Sequence, residues 1–298
     1  MKILITGGAG FVGGHIAVHL SREGYKVIVI DNLENASMIK TVRSSNIEII
    51  VGDLREHIDL PRVDVIVHAS AYISVDESFQ KPYEYIVNNT AVTAKIAKFA
   101  LNNNSYLVYM SSAAVYGNPE YIPISEDHPR KPLSPYGLSK LLGEEVVFFY
   151  GGLGLRFSIA RLFNVYGMCQ SDAYAGVITR FIKRARRNQP IVIYGDGSQT
   201  RDFIHVRDVV EFIKTLIERR PTGVFNVGSG RAISISELAK IVIELSGVDS
   251  KPMYYPPRPG DIRHSVADIR KAMELGWAPR VDLYSGILEL LTSDQCID

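Results

Sequence analysis

Short apolar runs alternate with longer amphipathic stretches through the first half of the chain. Lys2–Thr6, Lys26–Asp31, Ile47–Gly52, Val63–Ala69, Tyr106–Met110 and Leu155–Leu162 are dominated by Val, Ile, Leu and Tyr and are bounded by turn residues, which predicts strands. Between them, Phe11–Glu23, Pro82–Asn102 and Pro135–Tyr150 have the spacing of helices. Strands this apolar are buried on both faces, and their alternation with helices predicts a parallel, doubly wound α/β sheet with right-handed crossovers.

From about Val165 the rhythm loosens. A helix is expected at Gly176–Asn188, a strand at Ile191–Tyr194, a strand and helix within Asp202–Arg219, a strand at Val224–Val227 and a helix near Ser236–Leu245. A proline-rich loop, Pro252–Pro259, then leads to helices around Asp268–Leu275 and Leu283–Thr292. There is no internal repeat. Residues 1–165 are expected to form the sheet domain, which also receives about 202–222, and 166–298 a smaller interleaved α/β lobe with the ligand cleft between them.

Composition narrows the partners. With 33 Lys plus Arg against 32 Asp plus Glu, the net charge is +1, so no overall field draws in nucleic acid or an anionic membrane. The longest apolar stretches, such as Val146–Tyr150, are too short to span a bilayer. The chain starts directly on a strand, with no charged region or cleavage site before it, and its two cysteines, Cys169 and Cys296, build no disulfide framework. The expectation is a cytoplasmic protein with free thiols.

The first strand runs straight into Thr6-Gly7-Gly8-Ala9-Gly10-Phe11-Val12-Gly13. Glycines at 7, 10 and 13 suit a tight turn, a close approach of pyrophosphate to backbone N–H groups, and close packing of helix on strand. No Gly-Lys-Ser/Thr follows, which excludes a Walker-type triphosphate loop. Asp31, at the end of the second strand, is placed to accept hydrogen bonds from ribose hydroxyls and to repel a 2′-phosphate. Asn32 and Leu33 follow it rather than arginine, so NAD is favoured over NADP. Asp53 and Leu54, after the third strand, are placed to meet the adenine, and the small residues Ala69, Ser70 and Ala71 close the fourth strand where a cofactor would press against the sheet.

Ser134-Pro135-Tyr136-Gly137-Leu138-Ser139-Lys140 starts a helix with a cap and a first-turn proline, and puts Tyr136 and Lys140 on one face. A free tyrosine, with a pKa of about 10, is a poor base at neutral pH. A neighbouring ammonium and the positive nicotinamide are expected to lower that value. The fifth strand ends in Ser111-Ser112, hydroxyls at the carboxyl edge where substrate binds.

These motifs are similar, nearly end to end, to the extended short-chain dehydrogenase/reductase family, and specifically to its nucleotide-sugar epimerases and dehydratases. The resemblance implies Ser112, Tyr136 and Lys140 as catalytic residues, and adds Asn88 and Phe163 to the cofactor contacts. Phe163-Asn164 resembles the family's Phe-Asn turn, and Gly195 through Val206 resembles the segment carrying a diphosphate-binding arginine, here Arg201. Arg258-Pro259-Gly260-Asp261 resembles a second such arginine with its acidic companion. Asn164, Tyr194, Arg201, Arg258 and Asp261 are therefore the expected substrate contacts, with Tyr194 as a platform for the base. A homodimer formed through Pro82–Asn102 and Pro135–Tyr150 is also implied.

Two alanines, Ala113 and Ala114, follow Ser112 where dehydratases of the family carry Asp-Glu and decarboxylases a glutamate. The implied reaction is oxidation and re-reduction at C4, interconverting UDP-glucose and UDP-galactose. A 4,6-dehydratase or 4-reductase is the nearest alternative, and a non-catalytic NAD-binding regulator the alternative of another class. Ser265 stands where some members have a bulky tyrosine, which makes room for N-acetylhexosamines, and Ile73 where some epimerases have a lysine. His15 and His19, four apart, lack the intervening glutamate and third ligand of a zinc site, so no metal is expected.

Overall fold

The computed structural model describes residues 1–171, 175–248, 251–257 and 262–293. In chain order the first layer begins β1 (Lys2–Thr6), α1 (Phe11–Arg22), β2 (Lys26–Asp31), α2 (Ile39–Arg43), β3 (Glu48–Val51) and β4 (Val65–His68). It continues with α3 (Val75–Gln80), α4 (Pro82–Asn102), β5 (Tyr106–Ser112), α5 (Pro135–Gly152) and β6 (Phe157–Leu162). The remainder is β7 (Asn164–Tyr166), α6 (Val177–Arg186), β8 (Val192–Tyr194), β9 (Thr200–His205), α7 (Val206–Arg219) and β10 (Gly223–Val227). It ends with β11 (Ala232–Ser234), α8 (Ile235–Ser246), β12 (Met253–Tyr255), α9 (Arg270–Met273) and α10 (Leu283–Thr292).

A seven-stranded sheet in the order β10-β6-β5-β4-β1-β2-β3 forms the centre, with every pair parallel. The strands are apolar throughout because helices cover both faces. Ile3, Ile5, Val27, Val29 and Val67 face α1 and α7, while Leu4, Ile28, Ile30 and Ile66 face α4 and α5. This is the Rossmann-type doubly wound fold. Strand order reverses between β1 and β4, and the crevice there is where such sheets take their ligands.

The irregular second part builds two small sheets, β11-β9-β7 and β12-β8, around a separate core of Ile178, Phe181, Ile193, Leu238 and Ile287. The chain does not stay there. α7 packs on the first layer through Val209, Phe212, Ile213 and Leu216, and β10 then adds to the edge of the large sheet beside β6. β12 pairs with β8 within the stretch expected to be a proline-rich loop; its three exposed residues leave no burial pattern to read.

One expectation is corrected. Cys169 is disulfide-bonded, not a free thiol, and its only possible partner type, the second cysteine, lies outside the described residues. A single bridge has no spacing signature, so counting cysteines could not find it. Cysteine usage therefore gives no support to a reducing compartment. Among the described residues, no helix is long and apolar enough to cross a membrane.

Candidate active site

The turn after β1 leaves no room for side chains. Gly7 has φ +68°, and a Cβ on it would lie 2.8 Å from Ser70 Cα. A Cβ on Gly13 would lie 2.2 Å from the Gly7 carbonyl oxygen. Asp31 holds this turn and the loop beyond β2 together: its carboxylate accepts from Ala9 N at 2.9 Å and from Leu33 N at 2.8 Å. Together they open a cleft of about 210 Å³ at the carboxyl ends of the strands.

Gly7, Gly10, Phe11, Val12, Gly13, Asp31, Asn32, Asp53, Leu54, Ala69, Ser70, Ala71 and Asn88 all line it, and so do Tyr136 and Lys140. The fit to a dinucleotide is good in kind. The glycine cradle leaves backbone N–H groups open at the start of α1, and Ser37 Oγ, in the cleft wall, is buried with no protein partner, a hydroxyl for a ribose or phosphate oxygen to satisfy. Ser37, with Glu34 and Asn35, was missed in the sequence; the small polar run after Asp31 was its available signal. Tyr72, Gln170 and Ser171 also line the cleft without any motif to mark them.

α5 starts as its sequence dictates. Ser134 Oγ accepts from Gly137 N at 3.0 Å, and Pro135 fills the first turn. Gly137 is needed because a Cβ would come within 2.6 Å of the Ala114 carbonyl, so α5 packs hard on the turn after β5. That contact brings Tyr136 close to Ser112, whose hydroxyl favours the phenolate form. Ser112 Oγ also accepts from Ala114 N at 3.2 Å.

The electrostatics differ from expectation. Burial pushes the Tyr136 phenol above its usual value, and the neighbouring Ser112 hydroxyl only partly opposes this. Lys140, one turn on, is 4% exposed, donates from Nζ to the Met110 carbonyl at 2.9 Å and sits 5.3 Å from the Tyr109 ring centroid. Burial pushes its pKa down to about 8, with Glu144 opposing. Low dielectric penalises charge on both groups, and this outweighs the mutual help that spacing alone suggests.

Beneath them lies His68, held by Thr6 Oγ1 at 2.7 Å and Thr93 Oγ1 at 3.1 Å. Its burial, reinforced by the charge of Lys140, pushes its pKa down to about 3, so it is neutral at pH 7.

Phe163 is not in the cleft. It packs with Val115, Tyr116, Ile124 and Ala267, while its neighbour Leu162 lines the cleft, because successive extended residues point to opposite sides. The substrate candidates sit on the second layer. Asn164 Nδ2 donates to the Asp202 carbonyl at 3.0 Å, Arg201 Nη1 donates to the Thr200 carbonyl at 2.9 Å, and Tyr194 pairs with Tyr255 at a centroid distance of 6.0 Å. None of the three lines the cleft itself. Arg258 and Asp261 lie outside the described residues.

Residues 3–228 match the NAD-dependent epimerase/dehydratase family. The chain belongs to that family. NAD is its cofactor, and its class is that of NAD-dependent nucleotide-sugar epimerases, as the motifs implied. A UDP-glucose 4-epimerase of Azospirillum brasilense is 34% identical over 96% of this chain and 90% of its own length. Among solved structures, the Thermotoga maritima UDP-glucose 4-epimerase with UDP-glucose superposes with a TM-score of 0.91 at 33% identity, covering 98% of this chain and 97% of that one. The UDP-N-acetylglucosamine 4-epimerase of Methanobrevibacter ruminantium, in complex with UDP-N-acetylmuramic acid, gives 0.92 at 34% identity, covering 97% and 96%. In this epimerase Tyr136 and Lys140 line the cleft, while Ser112 lies beside Tyr136 outside that lining.

Proposed function

We propose that this epimerase interconverts UDP-glucose and UDP-galactose by transient oxidation at C4 of the sugar, with Ser112, Tyr136 and Lys140 as its catalytic residues. The observation that carries the reading is Tyr136 and Lys140 together in the cleft wall, with Ser112 beside the phenol and a turn whose next two side chains are Ala113 and Ala114. One hydroxyl relay is present there, and those alanines supply neither the extra acid nor the extra base that elimination of water requires.

The glycine turn, Asp31 and Lys140 would hold NAD, which would supply a reversible hydride acceptor for C4. Tyr136 Oη takes the proton of the 4-hydroxyl, with Ser112 Oγ bridging the two, and later gives it back. The buried phenol needs a positive neighbour to act near neutral pH. Lys140 supplies one while it stays protonated, and its Nζ, fixed on the Met110 carbonyl, retains further donors for a ribose hydroxyl. Asn164, Tyr194 and Arg201, with Arg258 and Asp261, hold the nucleotide while the sugar turns over to present its other face.

Specificity extends to N-acetylated sugars in this reading. Support for this comes from Ser265, which is small and buried where some members of the family carry a bulky tyrosine. A homodimer through α4 and α5 is supported by their exposed apolar side chains, Tyr83 at 72% and Phe149 at 67% exposure among them.

The test is to incubate the purified protein with UDP-galactose, with no added cofactor, and look for UDP-glucose. Conversion is expected, and Tyr136→Phe should abolish it while leaving NAD bound. A deoxygenated 4-keto product would mean a dehydratase, no conversion of any UDP-hexose a regulator, and full activity of Tyr136→Phe would remove the proposed base.

A further inference from the structure

The three loops that follow β2, β3 and β4 are joined by a single side chain. Arg55, two residues past Asp53, donates from Nε to Asp53 Oδ1 at 2.9 Å and Oδ2 at 3.0 Å, and from Nη2 to Glu34 Oε1 at 3.4 Å. Its other arm, Nη1, donates to the Tyr72 hydroxyl at 2.7 Å. Glu34, Asp53 and Tyr72 all line the cofactor cleft.

Topology gives the last bond its meaning. β3 and β4 are not neighbours; β2 and β1 lie between them in the sheet. At about 4.8 Å per strand, the loops after β3 and β4 spring from points about 14 Å apart. The Arg55–Tyr72 bond therefore joins loops that spring from either side of β2 and β1, whose carboxyl ends carry Asp31 and the glycine turn. We propose that Arg55 and Tyr72 form a latch across the adenosine end of the NAD cleft, which must open for the dinucleotide to enter or leave.

The two halves differ in mobility as a latch requires. Tyr72 is pinned: its backbone N donates to Asn89 Oδ1 at 2.8 Å, its carbonyl accepts from Asn89 Nδ2 at 3.0 Å, and its ring meets Tyr85 at 5.4 Å. The Arg55 side chain is 44% exposed and hinges on Asp53, whose carboxyl it holds down at about 2. The paired carboxylate thus stays charged, and the guanidinium has a seat to return to when the Tyr72 bond breaks. An enzyme that must take back its own hydride within one turnover gains from slow cofactor loss, and a bond across the exit slows loss without adding a contact to NAD.

Exchange of bound NAD for isotopically labelled NAD measures the opening directly, in the loaded protein and without any sugar. Tyr72→Phe removes the acceptor and keeps the ring; Arg55→Ala removes the donor. Exchange is expected to accelerate about 10-fold in Tyr72→Phe, equivalent to about 1.4 kcal/mol, close to the lower end for one hydrogen bond to a charged group. Because a latch also hinders entry, the equilibrium Kd for NAD should rise by much less than the exchange rate. Unchanged exchange in Tyr72→Phe, or exchange and Kd rising by the same factor, would overturn the latch; the second result would make the pair an ordinary cofactor contact. If Arg55→Ala fails to fold, Tyr72→Phe alone decides.

Discussion

Glu144 on α5 and Arg161 on β6 meet in a two-point ion pair with almost no access to solvent. Arg161 Nε reaches Glu144 Oε1 at 2.9 Å and Nη2 reaches Oε2 at 2.7 Å. Ser111 Oγ adds a bond to Oε1 at 2.6 Å, so one carboxylate ties α5 to β5 and β6 directly below the residues that carry Lys140 and Ser112. Removing one partner strands the other charge in low dielectric. Glu144→Gln is expected to cost about 3–5 kcal/mol in urea unfolding, whereas Glu144→Met combined with Arg161→Met should recover most of that. A loss below about 1 kcal/mol would show that the pair has no such weight.

Gly13→Ala tests the cradle. The added methyl would meet the Gly7 carbonyl at 2.2 Å, and a backbone oxygen cannot swing aside as a flexible side chain could. Overpacking of this kind destabilises by about 1–3 kcal/mol. The sharper readout is NAD retention on desalting, expected to be lost in the variant; a protein that keeps its cofactor would contradict the role given to this turn.

Asp31, in the cleft wall, is expected to govern the choice of dinucleotide. Asp31→Ser withdraws the charge facing the ribose and frees Ala9 N and Leu33 N. The Kd for NAD should rise at least about 10-fold, since a hydrogen bond to a charged group contributes about 1.5–3 kcal/mol. Discrimination against NADP should shrink in parallel, as titration with each cofactor will reveal.

Stability should fall in mild acid. His68 and His205 are both pushed down to about 3 by burial, against 6.5 for the free side chain. Between those values the unfolded chain binds protons that the folded one refuses. Stability is thus fully present above pH 6.5 and declines as pH falls toward 3, by up to about 1.4 kcal/mol per pH unit for each group. Urea midpoints measured from pH 7 to pH 4.5 should show the slope, and His68→Gln should flatten part of it.

Much of this site was legible in the chain because the chemistry is written locally. Gly7, Gly10 and Gly13 follow a strand and Asp31 ends the next, so spacing alone brings them to one sheet edge; Ser134, Pro135 and Tyr136 likewise carry their own helix start. Phe163 shows the converse: a resemblance names a position, but which way an extended residue points depends on the packing of its neighbours, and here the ring packs outside the cleft. The latch was invisible, since Glu34, Arg55 and Tyr72 belong to three loops and only the strand order makes them adjacent. Nor could the phenol of Tyr136 be judged from its lysine partner, because burial of both groups depends on the whole fold.

One residue, Phe163, separates the last strand of the large sheet to be reached before the crossing, β6, from the first strand of the small one, β7. Its N–H is bonded to the Val227 carbonyl at 3.0 Å, on the strand by which the chain later comes home. The chain thus passes between layers at a point where it is stapled to its own return path. A link so short lets β6 and β7 tilt against each other but allows them little slide. The distance from the cleft floor at Leu162 to the side chain of Asn164 is accordingly a fixed gauge, built from two peptide units rather than from any contact that could loosen with temperature.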